Sequence, residues 1–114
     1  MTDAMINKVS CRNAPNGEMD QIYLAFGDRV AMRLWQDLPE GQLEPSSRRR
    51  YKTVGFVVSG HALLQLEGQK IHLRKGDSWV VPAEAEHAYV IQEPFTAIEA
   101  TSPPARARSR DDAQ

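Results

Sequence analysis

The fold of this chain is decided by residues 60–87, which read GHALLQLEGQKIHLRKGDSWVVPAEAEH. Short apolar runs alternate there with turn residues, mostly a glycine beside an acidic residue or a lysine. Since neighbouring side chains of a strand point to opposite faces, the first run is expected to bury Ala62 and Leu64 and to expose His61. The same alternation in the next apolar run, residues 70–73, is expected to expose His72. The stretch therefore predicts several short antiparallel strands.

The rest of the chain shows the same pattern of short strands separated by Gly, Pro, Asn and Asp, which is typical of an all-β sandwich or barrel. Residues 23–35 read as a hairpin that turns at Gly27 and Asp28. Residues 36–47 contain two prolines and a glycine and are predicted to be a loop. Six short strands are predicted after it, at residues 54–58, 61–66, 70–73, 79–81, 87–91 and 95–100.

Three residues of the decisive stretch stand at the spacing of a known motif. Gly76, Pro82 and His87 match the second motif of the cupin superfamily, while Glu84 and Ile91 replace its second glycine and its asparagine. The match is specific because it fixes a turn, a strand end and a pocket histidine at set distances. The chain therefore resembles a small, single-domain, RmlC-like cupin.

The resemblance covers roughly residues 46–104. It implies an all-β cupin double-stranded β-helix, which is a jelly-roll-like antiparallel barrel with a pocket open at one end. We place the barrel at residues 23–104, after an N-terminal segment, 1–22, that two subunits could exchange, and before a flexible polar tail, 105–114. A barrel this small leaves edge strands and apolar sheet surface uncovered, so we expect a homodimer.

Composition limits the partners. Charged residues make up 25% of the chain and the formal net charge is −1, so no basic field favours nucleic acid or anionic lipid. No apolar segment approaches the length of a membrane span, and the N-terminus lacks the features of a signal peptide. Cys11 is the only cysteine, which excludes an intrachain disulfide. A cytoplasmic protein without nucleic-acid or membrane partners is expected.

The metal-binding set of the family is largely missing. The resemblance implies a His-x-His pair and a Glu in the first motif, which ends in a glycine that Gly60 matches. Counting back from Gly60 puts Thr53 at the Glu position. Ser46 and Arg48, or Ser47 and Arg49, stand at the histidine positions. Only His87 matches a family ligand, so we expect no metal and no cofactor. Non-standard ligands such as Glu99 and Gln65 remain the alternative.

The residues that remain in the pocket suggest a different chemistry. Strand alternation turns Arg49, Tyr51 and Thr53 inward and Arg48 outward. The inward group would line the mouth together with three further residues, His87, Trp79 and Tyr89. A guanidinium among aromatic walls suits a small carboxylate or phosphate. The alternatives are that the arginine run solvates a loop or pairs with Glu40 and Glu44, that His87 is structural, and that Trp79 is core packing.

The sequence thus predicts a small cupin that binds a small polar or anionic metabolite in its barrel without metal. One alternative is a metal-independent enzyme of the epimerase or isomerase type, with His87 as general base and Tyr51 or Tyr89 as acid. Another is a metal-dependent cupin enzyme that uses non-standard ligands.

Overall fold

The structure is a computed structural model that describes residues 8–14, 16, 21–43 and 46–105. Within these residues it contains strands and no helix, so the predicted all-β fold class is confirmed. The strands are β1 Ile22–Phe26, β2 Ala31–Leu38, β3 Gly41–Gln42, β4 Lys52–Leu66, β5 Gln69–Arg74, β6 Ser78–Val81 and β7 His87–Ser102. No helix that could cross a membrane occurs in the part of the chain described.

Two long strands, β4 and β7, form the centre of the barrel. They pair antiparallel from Lys52 opposite Ser102 to Leu66 opposite His87, with irregular register around Ser59. The early half of β4 pairs with β6, and the late half of β7 pairs with β2, which in turn pairs with β1. The late half of β4 pairs with β5 and the early half of β7 with β3. The two bent strands therefore belong to both sheets of the barrel.

The predicted strand breaks inside β4 and β7 are wrong, because the chain bends at these points without leaving the sheet. Gly60 has a φ of 90°, and a Cβ added there would clash with the backbone carbonyl of Pro94. Only glycine combines this conformation with so close an approach. Pro94 lies where the register slips and has no partner in the β4–β7 pairing, so its missing N–H costs little.

The barrel core lies between the two sheets and follows the predicted alternation. Its fully buried side chains come from β2, β4, β5 and β7 and include Trp35, Val57, Leu64, Leu73 and Phe95. The predicted burial of Ala62 and Leu64 is confirmed. His72 is exposed, and His61 keeps part of its surface in solvent, as the alternation predicted.

The predicted hairpin is confirmed as β1 and β2, but the predicted loop at residues 36–47 is too long. β2 continues to Leu38, because this side chain is buried in the core, and Gly41 and Gln42 pair with β7 as β3. Ala105 is buried and its amide donates to Thr101 Oγ1 at 2.8 Å. Most of the predicted N-terminal segment and the tail beyond residue 105 lie outside the described residues.

Candidate functional site

A cavity is enclosed by side chains of β2, β4 and β7 and of the segment that precedes β4. The empty space between these side chains, including the solvent at its mouth, measures about 370 Å³, and little of it is wide enough for a water molecule. The cavity is therefore narrow. Its lining consists of Arg33, Trp35, Leu43, Ser47, Arg49, Tyr51, Thr53, His87, Ala88, Tyr89 and Glu99.

Backbone hydrogen bonds hold the two sides of the cavity mouth together. Ser47 and His87 form an isolated antiparallel bridge, in which each amide donates to the other carbonyl at 2.9 Å. Two residues further on, the Arg49 carbonyl accepts from the Glu84 amide at 2.7 Å. The alternation that follows carries Arg49, Tyr51 and Thr53 into the cavity. The sequence therefore predicted the inward face of this segment correctly.

Arg48 points away from the cavity, as predicted, and takes part in a surface ion-pair cluster. Its guanidinium lies 3.2 Å from the Glu86 carboxylate and 3.6 Å from that of Glu67. It also donates to the Glu84 carbonyl at 2.9 Å. The described partners of Arg48 are therefore Glu67, Glu84 and Glu86, while Glu44, which the sequence left open as a partner together with Glu40, lies outside the described residues.

The hydrogen bond of His87 shows which of its two ring nitrogens carries the proton and which is left for other contacts. Its Nδ1 lies 3.0 Å from the Ala85 carbonyl oxygen. Because a carbonyl oxygen only accepts, Nδ1 carries the proton and Nε2 is left for other contacts. A catalytic general base is usually oriented by a carboxylate, whereas this imidazole is oriented by a backbone carbonyl. The ring also makes an edge contact with Tyr89, with centroids 5.8 Å apart.

A buried ion pair forms one wall of the cavity. Arg33 Nη2 and Nε lie 2.7 Å and 3.0 Å from Glu99 Oε1, and the two side chains are only 3% and 1% exposed. The Arg33 guanidinium also lies over the ring of Tyr51, 5.4 Å from its centroid. With Arg49 the lining carries two arginines and one carboxylate, so its formal charge is +1 with His87 neutral. The cavity therefore favours an anion over a cation.

Aromatic side chains close the inner part of the cavity. Trp79 does not belong to its lining; it lies behind Tyr89, and its indole N–H donates to the Tyr89 hydroxyl at 3.1 Å. Burial, with the nearby Glu99 carboxylate, raises the pKa of Tyr89 far above the usual phenol value, so this hydroxyl stays protonated. Trp35 lines the cavity, and its buried Nε1 has no hydrogen-bond partner in the described part of the chain.

The residues present do not fit the metal site that the fold implies. The cavity offers one imidazole, from His87, while Thr53 stands at the position of the family's glutamate. The carboxylate of Glu99 is engaged by Arg33, and Arg49 would repel a divalent cation. No group of three or more His, Cys, Asp and Glu residues suited to a metal ion occurs in the described ranges. The non-standard set with Glu99 and Gln65 is not assembled, since Gln65 is not in the lining.

Sequence reasoning missed Arg33 as part of the site and left the role of Glu99 open. The signal was weak for Arg33, because Met32 and Leu34 on one face of its strand and Ala31 and Trp35 on the other are all apolar, so alternation does not show which face is the interior.

The architecture and this site define a small single-domain antiparallel barrel with a polar cavity at one end. The chain belongs to the cupin family: its residues 34–100 match the family model described as "Cupin domain". This confirms the resemblance seen in the second motif. No match was found among curated proteins.

Solved structures with the same fold span most of the chain. KdgF from Halomonas sp. is 25% identical, with a TM-score of 0.67, over 82% of this chain and 82% of that one. An RmlC-like cupin from Shewanella frigidimarina is 24% identical, with a TM-score of 0.67, over 77% and 76% of the two chains. A Streptomyces PAC13 variant solved with uridine has a TM-score of 0.75 at 13% identity, over 93% and 88%.

Proposed function

We propose that this cupin binds a small anionic metabolite at the mouth of its barrel, between Arg49 and His87, without a metal ion. The observation that carries the proposal is the shared cavity: the guanidinium and the imidazole line it together, on backbone segments joined by the Ser47–His87 bridge. A guanidinium donates to a carboxylate or phosphate, and the imidazole donates from Nε2 as well when both of its ring nitrogens carry protons.

The dimensions of the cavity suggest the shape of this ligand. The inner space admits a group no larger than a carboxylate, whereas the depression outside it is wide and open to solvent. Ser47 and Arg49 line both spaces, so they mark the junction between them. The charged end of the ligand would enter the cavity and its polar body would lie in the depression.

Trp35 provides a second reason to expect a ligand. A buried N–H without an acceptor costs about 1–3 kcal/mol, and an oxygen of a bound molecule would remove that cost. Trp35 is fully buried and lines the same cavity as Arg49. An acidic ligand with an additional acceptor atom would therefore be preferred over a simple anion.

The enzyme hypothesis receives less support from the geometry. General-base catalysis by His87 would be helped by an orienting carboxylate, but the carbonyl of Ala85 occupies Nδ1 and Glu99 pairs with Arg33. The raised pKa of Tyr89 makes its hydroxyl a weaker acid, so it would transfer a proton less readily as the general acid. The cavity residues therefore support ligand binding better than they support acid–base catalysis.

The test is a calorimetric and thermal-shift comparison of phosphate, malonate and a neutral sugar. Removing a charge-assisted hydrogen bond costs about 1.5–3 kcal/mol, so Arg49→Ala should weaken anion binding about 10- to 100-fold. Arg50→Ala is the matched control, because Arg50 belongs to the same run but is exposed and absent from the lining. Equal binding of the neutral sugar, with no effect of Arg49→Ala, would exclude the anion site.

We further propose that two copies pair through the outer face of the sheet that contains β2, β7, β4 and β6. Two cross-strand rows on this face are apolar; they comprise Met32, Ala100, Val54 and Val80, and Leu34, Ile98 and Phe56. Val54, Val80 and Phe56 are each about half exposed. Single soluble subunits rarely leave so continuous an apolar surface open, and a flat face of this kind can meet its own copy about a two-fold axis.

A further inference from the structure

Two histidines meet on the outside of the barrel, away from the cavity. His61 Nε2 lies 2.8 Å from His72 Nδ1, and the two rings are tilted by 38° with centroids 5.0 Å apart. They stand on neighbouring strands, where Leu63 of β4 is the direct partner of His72 of β5. Neither histidine belongs to the cavity lining.

We propose that His61 and His72 together bind a divalent first-row transition ion on the outer face of the barrel. At a metal–nitrogen distance of about 2.0–2.1 Å, two nitrogens lie about 2.9 Å apart for a right angle and about 3.3 Å apart for a tetrahedral angle. The observed 2.8 Å is within about half an ångström of both values. Two exposed side chains on a sheet surface can make that adjustment by small rotations.

The protons balance without an external base when both imidazoles are neutral. In the metal-free pair one ring donates its N–H to the lone pair of the other. For the metal to accept both lone pairs, His61 must carry its proton on Nδ1 and His72 on Nε2, which are the nitrogens that do not face each other. Binding therefore requires a tautomer change and no net loss of a proton from the neutral pair.

Two charged side chains beside this site have opposite effects on the binding of a cation. Glu93 is the cross-strand partner of His61 on β7 and Arg74 its partner on β5. The carboxylate would attract a cation and the guanidinium would repel it. Water would fill the remaining coordination positions.

The experiment uses the full chain without a polyhistidine tag, at about pH 7.5, above the ordinary imidazole pKa of about 6.5. Zinc binding is measured by calorimetry, and substoichiometric Ni²⁺ is added while the histidine ring resonances are recorded. The chain has 3 histidines, so the expected result is easy to read: the signals of His61 and His72 broaden first, and that of His87 stays sharp. His61→Gln or His72→Gln should each lower zinc affinity on the order of a hundredfold, because either change removes the chelate.

Three further variants distinguish this site from a simple surface effect. Arg74→Gln should strengthen zinc binding and Glu93→Gln should weaken it, whereas His87→Gln should leave it unchanged. The absence of saturable zinc binding in the wild-type chain would overturn the proposal. So would broadening of the His87 signal alone, which would place the metal in the barrel and would also contradict the metal-free function proposed above.

Discussion

Replacing Glu99 by Gln should destabilise the protein more than any other single conservative change in the cavity wall. The substitution keeps the shape of the side chain and removes only its charge. Arg33 Nη2 and Nε contact one oxygen of Glu99 at 2.7 Å and 3.0 Å, with both side chains at least 97% buried. A guanidinium would then remain in the interior without its carboxylate.

Loss of one partner of a buried pair typically costs about 3–5 kcal/mol. For a domain of this size, about 4 °C of melting temperature corresponds to 1 kcal/mol, so the midpoint should fall by about 12–20 °C. Thermal unfolding followed by circular dichroism measures this directly. The double variant Arg33→Met with Glu99→Leu should recover much of the loss, because it removes both charges from the interior.

Glu86→Gln is the matched control, since it breaks an ion pair of similar length at the surface. Arg48 and Glu86 are separated by 3.2 Å, but their side chains are 56% and 52% exposed. Such pairs contribute at most about 1 kcal/mol. Equal small shifts for Glu86→Gln and Glu99→Gln would refute the reasoning, because they would mean that burial does not strengthen the Arg33–Glu99 pair.

Four further outcomes are expected. Gly60→Ala should fold poorly or melt far below the wild type, because the new Cβ meets the Pro94 carbonyl at a positive φ; a normal melting curve would contradict this. Trp79→Ala should lose about 3–5 kcal/mol in chemical denaturation, as expected for a buried aromatic residue. Tyr89→Phe should be less stable by about 1 kcal/mol at neutral pH, because it loses a hydrogen bond. Since the pKa of Tyr89 is raised in the folded state from 10.0, the wild type should lose stability as pH rises above 10, and the gap between the two proteins should narrow. Phe56→Glu should convert a dimer to monomers in analytical ultracentrifugation, and an unchanged sedimentation coefficient would argue against the outer face as the contact.

The parts of the fold that the sequence could predict are those in which strand periodicity and glycine positions agree. Strand alternation predicted both the burial of Ala62 and Leu64 and the inward series Arg49, Tyr51 and Thr53. It needs only a period of two residues and one residue of the strand whose face is known. Local turn signals were less reliable: Gly60 proved to be a bend within a strand that continues.

The remaining parts of the site depend on contacts that a local pattern does not contain. Glu99 finds Arg33 at a separation of 66 residues in the sequence. Arg33 also lies on a strand with apolar residues on both faces, because Met32 belongs to the apolar outer surface of the sheet. Alternation then gives no information about which face is the interior. Trp79 was expected at the pocket, but the hydroxyl of Tyr89 lies between its indole N–H and the cavity.

The bridge between Ser47 and His87 has a consequence for how this protein can change. The pair fixes the chain two residues before Arg49, and the Leu43 amide donates separately to the Tyr89 carbonyl at 3.2 Å, so the position of Arg49 relative to the imidazole does not depend on the length of the connection between Leu43 and Ser46. Insertions or deletions in that connection should therefore be tolerated without loss of the binding groups. Changes in the length of this connection could therefore alter ligand specificity while Arg49 and His87 keep their relative positions.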